Sequence, residues 1–226
     1  MRRISKLAGA IVGGFMAVVA VSGPAAADAG DLEIRLRAIG VLPTDESGPV
    51  LPTFANSSLR AGNSVVPELD FTYFFTDNIA AELILATTRH QIEGQGGLAA
   101  LNNAASAWLL PPTLTLQYHF NPTGDFQPYV GAGINYTIFY GEDADGSLIG
   151  AVGATKVEAD NSFGLAVQAG VDYRIADNLF LNLDVKYVRI DSDVTLTTAN
   201  AGVQRTDLNI NPVIVGIGVG YRFNLF

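Results

Sequence analysis

Residues 127–140 read Gln-Pro-Tyr-Val-Gly-Ala-Gly-Ile-Asn-Tyr-Thr-Ile-Phe-Tyr, and a step of two sorts them onto two faces. Val130, Ala132, Ile134, Tyr136, Ile138 and Tyr140 fall on one face, and Tyr129, Gly131, Gly133, Asn135, Thr137 and Phe139 on the other. Successive side chains of a strand point to opposite sides, so this is one long strand with an apolar face and a mixed, glycine-rich face. Strands of soluble proteins commonly run about five or six residues. A tilted strand crossing a bilayer needs roughly 9–11.

The same design recurs. Strands are expected at residues 32–41, 68–75, 79–89, 113–120, 127–140, 163–173, 179–190 and 208–226, each with alternating apolar and polar or small positions. The connections alternate in length. Residues 43–64, 91–110, 141–161 and 191–207 are long, with an Ala/Asn-rich stretch at 98–107 suited to a short helix. Residues 76–78, 121–125 and 176–178 are tight turns rich in Asp, Asn, Pro and Gly. Long outer loops alternating with short periplasmic turns predict an all-β fold, an eight-stranded antiparallel transmembrane β-barrel with both termini periplasmic. Closure is required physically, because an open sheet edge in lipid leaves backbone groups unpaired. Tyr73, Phe75, Tyr118, Phe120, Tyr173, Tyr221 and Phe223 fall near the short-turn ends, where an interfacial aromatic girdle belongs.

The N-terminus supports export. Arg2, Arg3 and Lys6 precede an apolar run at 7–21, and Ala25-Ala26-Ala27 is a small-residue cleavage pattern before Asp28. Residues 1–27 read as a cleaved signal peptide, leaving 28–226 as one barrel domain. Without those three bases, 10 of the 13 Lys and Arg remain against 22 acids, a net charge of −12. That balance argues against a nucleic-acid partner, which selects for a basic stripe. The chain has no cysteine, which excludes disulfides, thiolate chemistry and a lipidated N-terminal Cys.

Several stretches resemble the OmpW family of small outer-membrane barrels. They are Thr76-Asp77-Asn78-Ile79 with Glu82-Leu83, Leu110-Pro111-Pro112-Thr113-Leu114, the run from Pro128 to Thr137, and Gly220-Tyr221-Arg222-Phe223. The resemblance covers nearly the whole of 28–226. It implies an apolar lumen and uptake of small hydrophobic molecules across the bacterial outer membrane, in some members with sideways exit through the barrel wall. The family pattern stops at Tyr-Arg-Phe, whereas this chain continues Asn224-Leu225-Phe226. Either Phe223 or Phe226 then supplies the terminal aromatic read by the barrel insertion machinery.

The inward faces divide by depth. Glu33, Arg35, Arg37, Asp70, Glu82, His119, Asp172, Asn182, Asp184, Lys186 and Arg222 lie toward the periplasmic end and middle. Arg35, Arg37, Asp70, Glu82, Asp172, Asp184, Lys186 and Arg222 are expected to form a paired, charged floor, since unpaired charges in a dry interior cost several kcal/mol each. Ile39, Ile84, Phe139, Val188, Ile190 and Ile214 are expected to give an apolar lining toward the outer end. The functional expectation is an apolar funnel above a polar plug, passing small hydrophobic solutes. Pro111 and Pro112 are lateral-gate candidates, because proline has no N–H for ladder pairing. A simpler reading makes the prolines a loop terminator and the charged set an ordinary packed core, as an eight-stranded interior is just wide enough for side chains to fill. Rival functions are a narrow ion or polar-solute pore, and a structural or surface-recognition barrel acting through its loops.

No enzymatic site, cofactor or metal is expected. His90 and His119 are far apart in sequence, His119 alone is read as lumenal, and Ser162 is the one inward serine at the outer rim. Gly216, Gly218 and Gly220 are spaced by two inside a strand and so read as inward, space-making positions rather than a nucleotide loop. Asp45, Glu46, Glu142, Asp143, Asp145, Glu158 and Asp160 place acids in the outer loops. There, membrane lipid and lipopolysaccharide are the expected neighbours, with divalent cations as bridges.

Overall fold

A computed structural model describes residues 28–44, 47–101 and 103–225. The signal-peptide reading of residues 1–27, the loop acids Asp45 and Glu46, and the terminal Phe226 lie outside the described residues.

In chain order the strands are β1 Leu32–Leu42, β2 Ser57–Ala61, β3 Ser64–Phe74, β4 Ile79–Ala86, β5 Thr88–Gly96, β6 Ala105–Leu110, β7 Thr113–His119 and β8 Phe126–Ala144. A short helix of about two turns, α1 Gly146–Val152, follows. Then come β9 Thr155–Ala159, β10 Ser162–Ala176, β11 Leu179–Val188, β12 Asp191–Thr198, β13 Gly202–Asn209 and β14 Val213–Phe223. Among the described residues, eight of these close an antiparallel barrel: β1 pairs β3, then β4, β7, β8, β10, β11 and β14, and β14 returns to β1. The start of β1, the end of β14 and the short turns share one rim, as at Thr76, whose hydroxyl accepts from the backbone N–H of Ile79 at 3.0 Å.

The remaining strands form a collar on the opposite rim. β2, β5 and β6 extend the wall upward, and β9, β12 and β13 form a separate three-stranded sheet. The collar departs from the sequence reading. Of the stretches expected as long loops, 91–110 and 191–207 are largely strand and 43–64 and 141–161 partly so, and the hairpins continue beyond the bilayer. The helix expected at 98–107 is instead a turn leading into β6; the helix lies at Gly146–Val152, where Asp145 accepts from the Ser147 N–H at 3.0 Å as N-cap.

Alternation explains the two surfaces. Leu36, Leu83, Leu116, Ile134, Leu165, Leu183 and Ile217 point outward and are exposed, forming the lipid-facing band. At the short-turn rim, three outward aromatic pairs stand two residues apart. Tyr73–Phe75, Tyr118–Phe120 and Tyr221–Phe223 have ring centroids 5.3, 5.2 and 4.7 Å apart. At the collar side Trp108 stacks on Tyr140 at 6.3 Å, next to outward Arg89. These aromatics mark the two interfaces, and β5 rises above the upper one.

Candidate functional site

The lower lumen is a solid block of ion pairs. Arg35 stands between carboxylates from four strands: its Nε is 2.9 Å from Glu33, and its Nη atoms lie 2.8 Å from Asp172, 3.2 Å from Asp70 and 3.3 Å from Glu82. Arg37, one step higher, reaches Glu68 and Asp70, each at 2.8 Å, and Glu82 at 3.1 Å. Lys186 lies 3.3 Å from Glu68 and 3.6 Å from Asp184. Arg222 closes the bottom, donating to Glu33 at 2.6 Å while its guanidinium lies 4.7 and 4.3 Å from the ring centres of Phe74 and Phe180. Neutral groups add further hydrogen bonds to the carboxylates. Gln168 and Gln117 donate to Glu82 at 2.6 and 2.8 Å, and Tyr129 donates to Asp184 at 2.9 Å. Every charged side chain in the block is at most 2% exposed.

Backbone choices make room for this block. Gly220 and Gly218 lie directly across β14–β1 from Arg35 and Arg37. A Cβ at Gly220 would fall 2.7 Å from Glu33 Oε1 and 3.0 Å from Arg35 Cγ. Gly170 does the same for Tyr129, its strand neighbour, whose ring would be met at 2.4 Å. Small residues on one strand thus face long side chains on the next, filling the barrel at native density.

Above the block the lining turns apolar. Ile39, Ile84, Val188, Ile190 and Ile214 surround a cavity of about 30 Å³ whose floor is the Glu68–Lys186 pair. Phe139 lies higher, in a second cavity of about 30 Å³ inside the collar with Leu59, Leu196 and Leu208. His90, Leu109 and Ile210 line both cavities and so form the partition between them. His119 is buried low in the lumen, stacked on Tyr129 with ring centroids 5.1 Å apart. His90 is buried as well, so the lumen holds two histidines where the sequence reading placed one.

The first cavity touches a gap in the wall. β4 pairs β7 up to Ile84 opposite Thr113, and β5 resumes with β6 at Thr88 opposite Leu109. The register is the same on both sides, which sets Leu85 across from Pro112 and Ala86 across from Pro111, yet no ladder pair joins them. The prolines cannot donate there. Their other side is held: the Tyr136 N–H donates to the Pro112 carbonyl at 3.1 Å, and the Asn135 amide to the Pro111 carbonyl at 3.1 Å. Ala86 and Pro111 are themselves part of the cavity lining.

Glu68 and Tyr129 were not singled out in the sequence as floor residues. Glu68 shares parity with Asp70 and Thr72, which was signal enough. Tyr129 sits on a face whose glycines masked its burial. His90 could have been found from Thr88, His90 and Ile92 alternating with exposed Arg89 and Gln91.

A closed barrel with an outward apolar belt, two aromatic rims and a filled polar interior is an integral protein of the bacterial outer membrane, set in lipid and lipopolysaccharide. The chain belongs to the OmpW family, which it matches over residues 28–223. It is 42% identical to the outer-membrane protein y4mB of Sinorhizobium fredii, over 84% of this chain and 79% of that one. It is 39% identical to outer membrane protein W of Vibrio cholerae, over 86% of this chain and 89% of that one. Among solved structures, the crystal structure of OprG from Pseudomonas aeruginosa superposes with a TM-score of 0.81 at 29% identity, covering 87% of this chain and 97% of OprG.

Proposed function

We propose that this barrel admits small hydrophobic molecules from the outside, passes them through the apolar upper lumen, and releases them sideways into the membrane between β4–β5 and β6–β7. The observation that carries the reading is the coincidence of three features at one level. The apolar cavity ends on a floor of buried ion pairs, and its side wall includes the stretch where the Leu85–Thr87 and Leu110–Pro112 backbones form no ladder pairs with each other. A solute that reaches this level has charge below it and lipid beside it. Breaking the floor would strand buried charges, which is far costlier than widening a gap crossed by no ladder pair and by the Thr87 hydroxyl donating to the Leu109 carbonyl at 3.3 Å.

The chain's lack of cysteine gives a clean test. A disulfide between Ala86→Cys and Pro111→Cys pins the gap shut. Uptake of an apolar tracer into proteoliposomes should fall to the protein-free level when this variant is oxidised and return on reduction. Uptake indifferent to the crosslink removes the lateral route.

The small size of the cavities, about 30 Å³ each, favours a second reading. In it the barrel is packed throughout and acts through its collar. That reading predicts no tracer entry at all, and loss of function on deletion of residues 141–161 with the barrel intact.

A further inference from the structure

The partition between the two cavities contains an unusual atom. His90 is 1% exposed, and its Nδ1 lies 2.7 Å from the Gly62 carbonyl oxygen. A carbonyl only accepts, so Nδ1 carries the hydrogen. Burial in the collar pushes the imidazole below its ordinary pKa, opposed only by that one hydrogen bond. The ring is therefore neutral, and Nε2 presents a bare lone pair. Nε2 has no hydrogen-bond partner. Of the buried side-chain atoms in that condition among the described residues, it alone belongs to a residue lining either cavity. The ion-paired block below satisfies its charges internally, and Thr113 spends its hydroxyl on the Pro111 carbonyl at 3.0 Å. An unpaired acceptor in an apolar chamber costs free energy that a ligand with a donor recovers.

We infer that His90 is a polar anchor for the permeant: its Nε2 accepts a hydrogen bond from a solute with an apolar body and one neutral donor, the chemistry of an aliphatic alcohol or a phenol. The inference rests on the uptake reading above and narrows its substrate class. A hydrocarbon leaves Nε2 unpaired. A carboxylate brings no donor and a charge that the apolar lining does not solvate. Position matters too, because His90 stands where a solute must move Leu109 and Ile210 aside to pass from the collar cavity to the one beside the wall gap.

The test compares 1-decanol with its methyl ether, which has the same body but no donor. In ¹⁵N-histidine-labelled wild-type barrel in nanodiscs, the His90 Nε2 resonance should move upfield with the alcohol and stay in place with the ether. His90→Phe or His90→Gln spectra identify the resonance by its loss, so the binding arm runs on the native protein. In proteoliposomes, uptake above protein-free vesicles should favour the alcohol over the ether by about five-fold in wild type, a typical worth for one hydrogen bond. In His90→Phe the ratio of alcohol to ether uptake should fall to one. An Nε2 resonance unmoved by 1-decanol overturns the anchor, even where both compounds enter. Equal entry of alcohol and ether into wild-type proteoliposomes overturns it too. A moved resonance with no entry of either compound leaves the anchor standing and overturns the uptake reading instead.

Discussion

Arg35 organises four carboxylates with one guanidinium, and its planar fork suits that task better than an ammonium would. Removing it leaves Glu33, Asp70, Glu82 and Asp172 in a dry interior without their main counter-charge. Arg35→Met is expected to destabilise the barrel by about 3–5 kcal/mol, read by urea unfolding in lipid vesicles. A loss below about 1 kcal/mol would mean the block is wet. Gly170→Ala is expected to push Tyr129 off Asp184 at a cost of about 1–3 kcal/mol. Tyr129→Phe in that background should then cost little more, because the hydrogen bond is already gone; a double-mutant cycle measures the coupling. Much of this block was legible from parity alone. Arg35 and Arg37 alternate with Leu36 on β1, and no lipid-facing position tolerates them. The partner assignments were not legible, since Arg35 meets Asp172 across 137 residues and the pairing depends on how the barrel closes.

At the scale of elements, the instructive contrast is between the spanning strands and the collar. Inside the bilayer one face must be apolar, so β8, β10 and β11 announce themselves by alternation. Above it the inward face packs on the collar's own apolar core while the outward face is free to be polar, and the interruptions between its short strands blur the alternation. Gln91, Glu93 and Gln95 alternate with Ile92 and Gly94 too weakly to distinguish a strand from a loop. Ala105 and Ala107 read as helix formers, yet they sit in β6, where pairing with β5 on one side and β8 on the other overrides their local preference. The prolines were legible as ladder breakers. What the sequence could not give is that β5 and β6 resume above them in unchanged register, which turns a strand start into a gap in a continuous wall. Pro111→Ala with Pro112→Ala restores two N–H groups, of which alternation directs that of residue 111 toward Ala86 and that of residue 112, whose carbonyl accepts from Tyr136, toward β8. The expected result is lower tracer uptake together with a gain of about 0.5–1.5 kcal/mol for each ladder bond formed. Unchanged uptake in a more stable barrel would show that the gap is not a route.

The whole molecule is a barrel filled with ion pairs below and apolar above, and the direction of the proposed uptake follows from that asymmetry. Charges enclosed by the wall at no more than 2% exposure offer no path for hydrated ions. An ion pore would need the Arg35 and Arg37 pairs to open, whereas an apolar solute needs only the partition at His90, Leu109 and Ile210 to part. The two kinds of permeant therefore separate cleanly in one preparation. The most direct measurement is apolar-tracer entry into proteoliposomes beside single-channel conductance of the same purified barrel. Tracer entry with negligible ionic current is the predicted result. Steady, salt-dependent current without tracer entry would contradict the account and make the charged block a pore.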